Sequence, residues 1–239
     1  MILYTNGCSH VAAGEAVNEF CFAEDDSLYY ALGRQPHPDN LAASFSAILA
    51  NSLGAILDCN AEAAASNDRI LRTTNEYIDN QHDEDFVVLI GWTTWEREEW
   101  LHEGEYYQVN GSGIDQVPKE LATKYKQWVI DTNSKWREHH IKWHNRIWDL
   151  HCKFKDENIK HLFFNSHVPL DLVPKSQRKQ WGDNYILPYA SDYTYFNYLN
   201  SKGFRRRPGS AKDLGGGHYL ADGHQEWADF LLPHLTKLL

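Results

Sequence analysis

The run Phe86 to Ile90 (FVVLI) admits few environments. Its uninterrupted apolar, β-prone residues lack the alternation of a strand with one wet face, so both faces must be covered. Acidic residues precede it and Gly91 follows it, which predicts a central strand. Met1 to Thr5, Ala55 to Leu57 and His161 to Phe164 are shorter runs of the same kind, and Asn184 to Leu187 offers one more. Amphipathic stretches lie between them: Asn40 to Leu53, stopped by Gly54; Asp68 to Ile78, after a polar turn at Ser66-Asn67; one or two helices over 118–155; and a last helix from Gly223 to about Leu238. Strands separated by helices predict an α/β fold, a flavodoxin-like three-layer sandwich with a mostly parallel sheet and helices on both faces. Residues 1–239 are expected to form one domain, with an acidic and aromatic lid or insertion over 95–118.

Charge narrows the partners. With 23 basic and 33 acidic residues the chain carries a formal −10, which argues against a phosphate-tracking surface and therefore against nucleic acid. The short cluster Arg205-Arg206-Arg207 reads as a solvated loop. Cys8, Cys21, Cys59 and Cys152 form no CxxC pair and read as reduced thiols. No apolar window reaches the roughly 18 residues of a membrane span, and the first residues lack the basic flank of a secretory signal, so a soluble cytoplasmic protein is expected.

In parallel α/β sheets, sites gather in the loops at the C-terminal ends of the strands. Three polar segments converge there: Gly7-Cys8-Ser9, Ser66-Asn67 and Gly91 to Thr94. A serine on a tight turn after the first strand can stand above the sheet with backbone amides free to hold an oxyanion. The base it needs is offered by His218, which follows Gly215-Gly216-Gly217 just before the last helix.

These residues resemble the SGNH (GDSL-like) hydrolase superfamily, whose opening block is strand-Gly-Asp-Ser and whose closing block ends in a histidine before a helix. The counterparts here are Gly7-Cys8-Ser9 and His218 to His224, with Ala64-Ala65-Ser66-Asn67 and Ile90-Gly91-Trp92-Thr93-Thr94 as middle blocks. The GCSH opening is similar to divergent members found in phage and bacterial genomes. The resemblance implies a serine esterase or acylhydrolase of O-acyl esters, an acetylated carbohydrate among them, with Ser9 as nucleophile, His218 as base and no cofactor or metal. Ala65, Asn67 and Thr93 are the implied oxyanion or substrate contacts.

Four positions depart from the family pattern: Cys8 stands for Asp, Ala64 or Ala65 for Gly, Thr93 for Asn, and Gly215 for the Asp three residues before the catalytic His. Asp213, five residues upstream, becomes the candidate to orient His218, the glycines absorbing the extra length. Asp222 is expected to cap the last helix, His224 to pack at its start, His10 to line the pocket or face solvent, and Cys8 to point away from Ser9. The alternative function is a non-catalytic binding module using the same cleft. A third reading, a metal-dependent hydrolase, rests on His140 and His144 at i and i+4; packing of the tryptophan-rich helix that bears them is favoured instead.

Overall fold

The computed structural model describes residues 1–23, 35–81, 85–111, 113–207 and 217–239. Its main sheet holds four parallel strands in the order β2-β1-β3-β6, where β1 is Ile2–Gly7, β2 Ile56–Cys59, β3 Phe86–Trp92 and β6 Lys160–Asn165. Four of the five candidate strands are present, and Phe86 to Ile90 is flanked on both sides, by β1 and β6. Successive residues of β1, β3 and β6 supply opposite cores, whereas the edge strand β2 packs Leu57 and Cys59 inward and leaves Ile56 exposed, so the expected two-sided burial fails there. Leu3, Val87, Leu89, Leu162 and Phe164 pack with α2 (Phe45–Leu53) and α7 (Ala221–Leu238). Tyr4, Val88, Ile90 and Phe163 pack with α3 (Asn67–Asn80) and α5 (Trp136–Asp156). This two-sided burial is what an apolar run without alternation requires.

Local chemistry sets the boundaries. The expected helix over Asn40 to Leu53 is two, because Ser44 caps the Ala47 amide and separates α1 (Pro38–Ala42) from α2. Gly54 closes α2 in the left-handed conformation, φ 62°. The 118–155 stretch likewise divides into α4 (Lys119–Thr132) and α5. The polar turn before α3 is a true cap, with Ser66 accepting from the Arg69 amide. α6 is Tyr195–Ser201.

Three expectations change. The first strand does not stop at Thr5: β1 continues to Gly7, and the Asn6 amide is buried against Tyr4, Ile70, Thr73 and Thr74, tying β1 to α3. Asn184 to Leu187 does not form a strand. Only Tyr185 bridges Phe163, because Leu187 turns to φ 33° and Pro188 removes the next donor. The 95–118 insertion is more ordered than a loop: β4 (Glu98–His102) and β5 (Glu105–Val109) form an antiparallel hairpin, turning at Glu103 (φ 50°) and Gly104 (φ 89°). Among the described residues no helix is long and apolar enough to cross a membrane.

Candidate active site

The site is assembled at the C-terminal ends of β1 and β3. Gly7 and Gly91 lie opposite each other in the sheet, and a Cβ on either would strike Val11. Their lack of side chains lets the chain after β1 fold back over the sheet edge. There, the amides of Val11 and Ala12 bond to the Cys8 carbonyl and that of Gly14 to the Ser9 carbonyl, at 2.9, 3.1 and 2.8 Å. This compact turn carries Ser9, which is 6% exposed. Cys8 is wholly buried in the core shared with α3 and α5.

The acid that holds His218 comes from the same turn as Ser9. Glu15 Oε2 lies 2.6 Å from His218 Nδ1, with both side chains largely covered. Burial pushes the Glu15 carboxyl up, but the hydrogen bond and charge of His218 outweigh it and leave the pKa below its ordinary value. Glu15 (φ 60°) and Ala13 (φ 53°) both adopt the left-handed conformation that side chains disfavour. Arg207 fastens the arrangement by donating its Nε to the Glu15 carbonyl and its amide to the His218 carbonyl, at 2.9 and 2.8 Å.

Two orienting candidates from the sequence therefore change. Asp213 lies outside the described residues, and Glu15 occupies the partner position on Nδ1. Asp222 is not the cap of α7: Leu220 is, and Asp222, one position inside the helix, accepts from the Gly223 amide at 2.9 Å. The arginine cluster is not simply a solvated loop either. Arg207 braces the site and Arg206 lies over the Phe196 ring, while Arg205 is exposed.

His10 is buried as a wall of the site, its ring 5.1 Å from that of His218 and 4.4 Å from that of His167. Burial holds His10 well below its ordinary pKa and His167 at about 3. His224 packs at the start of α7 as expected, within reach of the Phe45 amide and the Tyr195 hydroxyl.

The middle blocks meet through a reciprocal clamp. Asn67 Nδ2 donates to the Thr93 carbonyl at 3.0 Å, and the Thr93 amide donates to Asn67 Oδ1 at 2.8 Å. The clamp leaves Asn67 one N–H to spare, and the buried Thr93 hydroxyl has no partner among the described residues. Ala65 fits its expected role poorly, because its amide already donates to the Glu62 carbonyl at 3.1 Å. Ala64 instead takes the glycine-like conformation, φ 65°. This loop is braced by a buried ion pair, Arg69 Nε to Glu62 Oε2 at 2.5 Å, and by Gln108 of the hairpin, which accepts from the Ser66 amide at 3.0 Å. Burial raises the Glu62 pKa despite the arginine. Arg69→Ala, which strands that carboxyl, should lower stability by about 3 kcal/mol in urea unfolding, whereas a loss under about 1 kcal/mol would show the pair to be dispensable.

A cavity of about 720 Å³ opens beside the hairpin, lined by Thr94, Trp95, Arg97, Tyr125, Trp128 and Trp136. Neither Ser9 nor His218 lines it. Arg97 connects the two regions: it lines the cavity, its charge is felt at His10 and His167, and its Nη1 is buried without a partner among the described residues. Of the aromatic residues at 95–107 only Trp95 lines the cavity. Trp100 packs against Tyr125 and Lys124, Tyr106 against Arg72, and Tyr107 against His102. His140 and His144 face into packing. His144 Nε2 lies 2.9 Å from the Tyr189 hydroxyl, and no third ligand joins the pair among the described residues.

Glu15, Arg207 and Gln108 are the residues that sequence reading missed. Glu15 had one available signal: it stands six positions after Ser9, in the same turn.

No family description matches this chain, and no curated protein does. Among solved structures it is similar to a proposed lipolytic protein of the G-D-S-L family from Desulfitobacterium hafniense DCB-2, at 11% identity and a TM-score of 0.34, over 99% of this chain and 98% of that one.

Proposed function

We propose that this chain is a serine esterase or acylhydrolase acting on O-acyl esters. The observation that carries the reading is the 2.6 Å contact between His218 Nδ1 and Glu15 Oε2, made within the turn that bears Ser9. An acceptor on Nδ1 keeps the imidazole proton there, leaves Nε2 as the base and stabilises the imidazolium as it forms. In the proposed reaction His218 takes the Ser9 hydroxyl proton while Oγ attacks the ester carbonyl. The imidazolium then returns the proton to the departing alcohol, and water repeats the sequence on the acyl-enzyme. The oxyanion donors would be the Ser9 and Ala64 amides, with the Thr93 hydroxyl or the spare Asn67 N–H in place of the missing asparagine. The aromatic cavity at Trp95, Trp128 and Trp136, which Arg97 also lines, suits a ring-bearing portion of the substrate such as a sugar.

A panel of nitrophenyl acyl esters and acetylated oligosaccharides tests the reading. Turnover by the parent chain should be lost in Ser9→Ala, with unfolding by urea unchanged; equal turnover by both would place the chemistry elsewhere. A second reading, a binding module without turnover, draws on the 6% exposure of Ser9 and on an aromatic cavity lined by neither Ser9 nor His218. It predicts saccharide binding that Ser9→Ala leaves intact, with no ester cleaved.

A further inference from the structure

We infer that Glu15, Cys21 and His218 form a site for a zinc-like divalent ion, and that occupancy of this site switches the proposed hydrolase off. One ligand atom from each residue lies within 4.8 Å of the others, and all three side chains are partly covered. Bonds of about 2.0 to 2.3 Å put tetrahedral ligands roughly 3.3 to 3.8 Å apart, so small side-chain rotations would close the set around an ion. Gly14 borders both groups: a Cβ there would lie at the same contact distance, 3.5 Å, from Cys21 Sγ and from His218 Cε1, so the thiol and the imidazole face one backbone position. Thiolate, imidazole and carboxylate together favour zinc or cobalt over magnesium or calcium, and three protein ligands leave a position for water.

The consequence for catalysis follows from where the proton goes. His218 Nδ1 already faces Glu15 Oε2 at 2.6 Å. An ion seated between them bonds to both atoms, and the imidazole proton moves from Nδ1 to Nε2. Cys21 gives up its thiol proton to solvent as its sulfur binds. Nε2 then holds a proton and can no longer accept one from Ser9. The binding claim stands on the three side chains alone, while the inhibitory claim rests on the hydrolase reading.

Cobalt titration tests the binding directly. The purified chain with Co²⁺ should develop the near-ultraviolet band of thiolate-to-cobalt charge transfer, absent with Mg²⁺, lost in Cys21→Ser and retained in Cys152→Ser. A parent chain without the band, or a band that survives Cys21→Ser, would overturn the site. If Cys21→Ser does not fold, Glu15→Ala serves instead and should weaken cobalt binding at least tenfold; unchanged affinity would again overturn the site. Zn²⁺ should suppress ester turnover reversibly by chelator, and Cys21→Ser should keep its turnover while losing at least tenfold in zinc sensitivity. Equal zinc sensitivity in the two chains would overturn the switch. A cobalt band in a chain that hydrolyses no ester would sustain the ion site and reject the hydrolase.

Discussion

Glu15→Gln should leave the chain folded and cut ester turnover by roughly 10³- to 10⁴-fold. The glutamine oxygen can still accept from Nδ1, so the geometry survives, but a neutral amide cannot stabilise the imidazolium that forms as Ser9 is deprotonated. Because the Glu15 carbonyl, not its carboxylate, receives Arg207, the fold should tolerate the change. The loss should fall on kcat, with KM little altered, since Glu15 acts through His218. Turnover within a few fold of the parent would remove Glu15 from the mechanism and leave a Ser9 and His218 pair working alone.

Acid should unfold this protein well above the range in which carboxylates titrate. His161 is held at about 4, His167 and His224 at about 3, and His10 well below its ordinary value, each chiefly by burial. The groups around them do little to favour the charged form: His10 and His167 face each other, His218 and Arg97, and His161 faces His151. An unfolded histidine binds its proton near pH 6.5, so below that pH the unfolded chain takes up protons that the folded chain refuses. Stability is therefore complete above about pH 6.5 and falls as the pH drops towards the folded values. At pH 5 each such histidine costs about 2 kcal/mol, and three of them about 6 kcal/mol, comparable with the whole stability of an ordinary domain. The carboxyls of Glu62 and Glu98, raised chiefly by burial, oppose this trend as the pH falls through their folded values. Urea unfolding between pH 6 and 5 should show an uptake of about three protons. An uptake of one or fewer would mean that these histidines are charged in the folded protein.

The sheet was legible because strand burial leaves a compositional mark. Phe86 to Ile90 and His161 to Phe164 are apolar without alternation, and each is a strand between two packed layers. Helix ends were legible where a capping residue stood, as at Ser66 and Gly54, and the division at Ser44 could have been read in the same way. The positions of Ser9, Asn67 and Thr93 followed from the rule that loops at the C-terminal strand ends converge, and the structure joins Asn67 to Thr93 and the Ser9 turn to His218. The partner of His218 was hidden for a physical reason. A search along the chain favours acids near the histidine, whereas the fold brings one from 203 positions away. Left-handed backbone at Ala13, Glu15 and Ala64 was equally hidden, because none of these is a residue type that announces it. The same holds for Arg207, whose role depends on the fold bringing the Glu15 and His218 carbonyls to it.

The most direct test of the central claim is covalent labelling of Ser9. Diisopropyl fluorophosphate, small enough for a nearly buried serine, should phosphorylate the folded chain at one site, with fluoride as the leaving group. Peptide mass analysis should place the adduct on Ser9, and His218→Ala should abolish it while retaining the fold. An unmodified Ser9 under conditions that fully label a known serine esterase, or equal labelling of the parent and His218→Ala, would contradict the account.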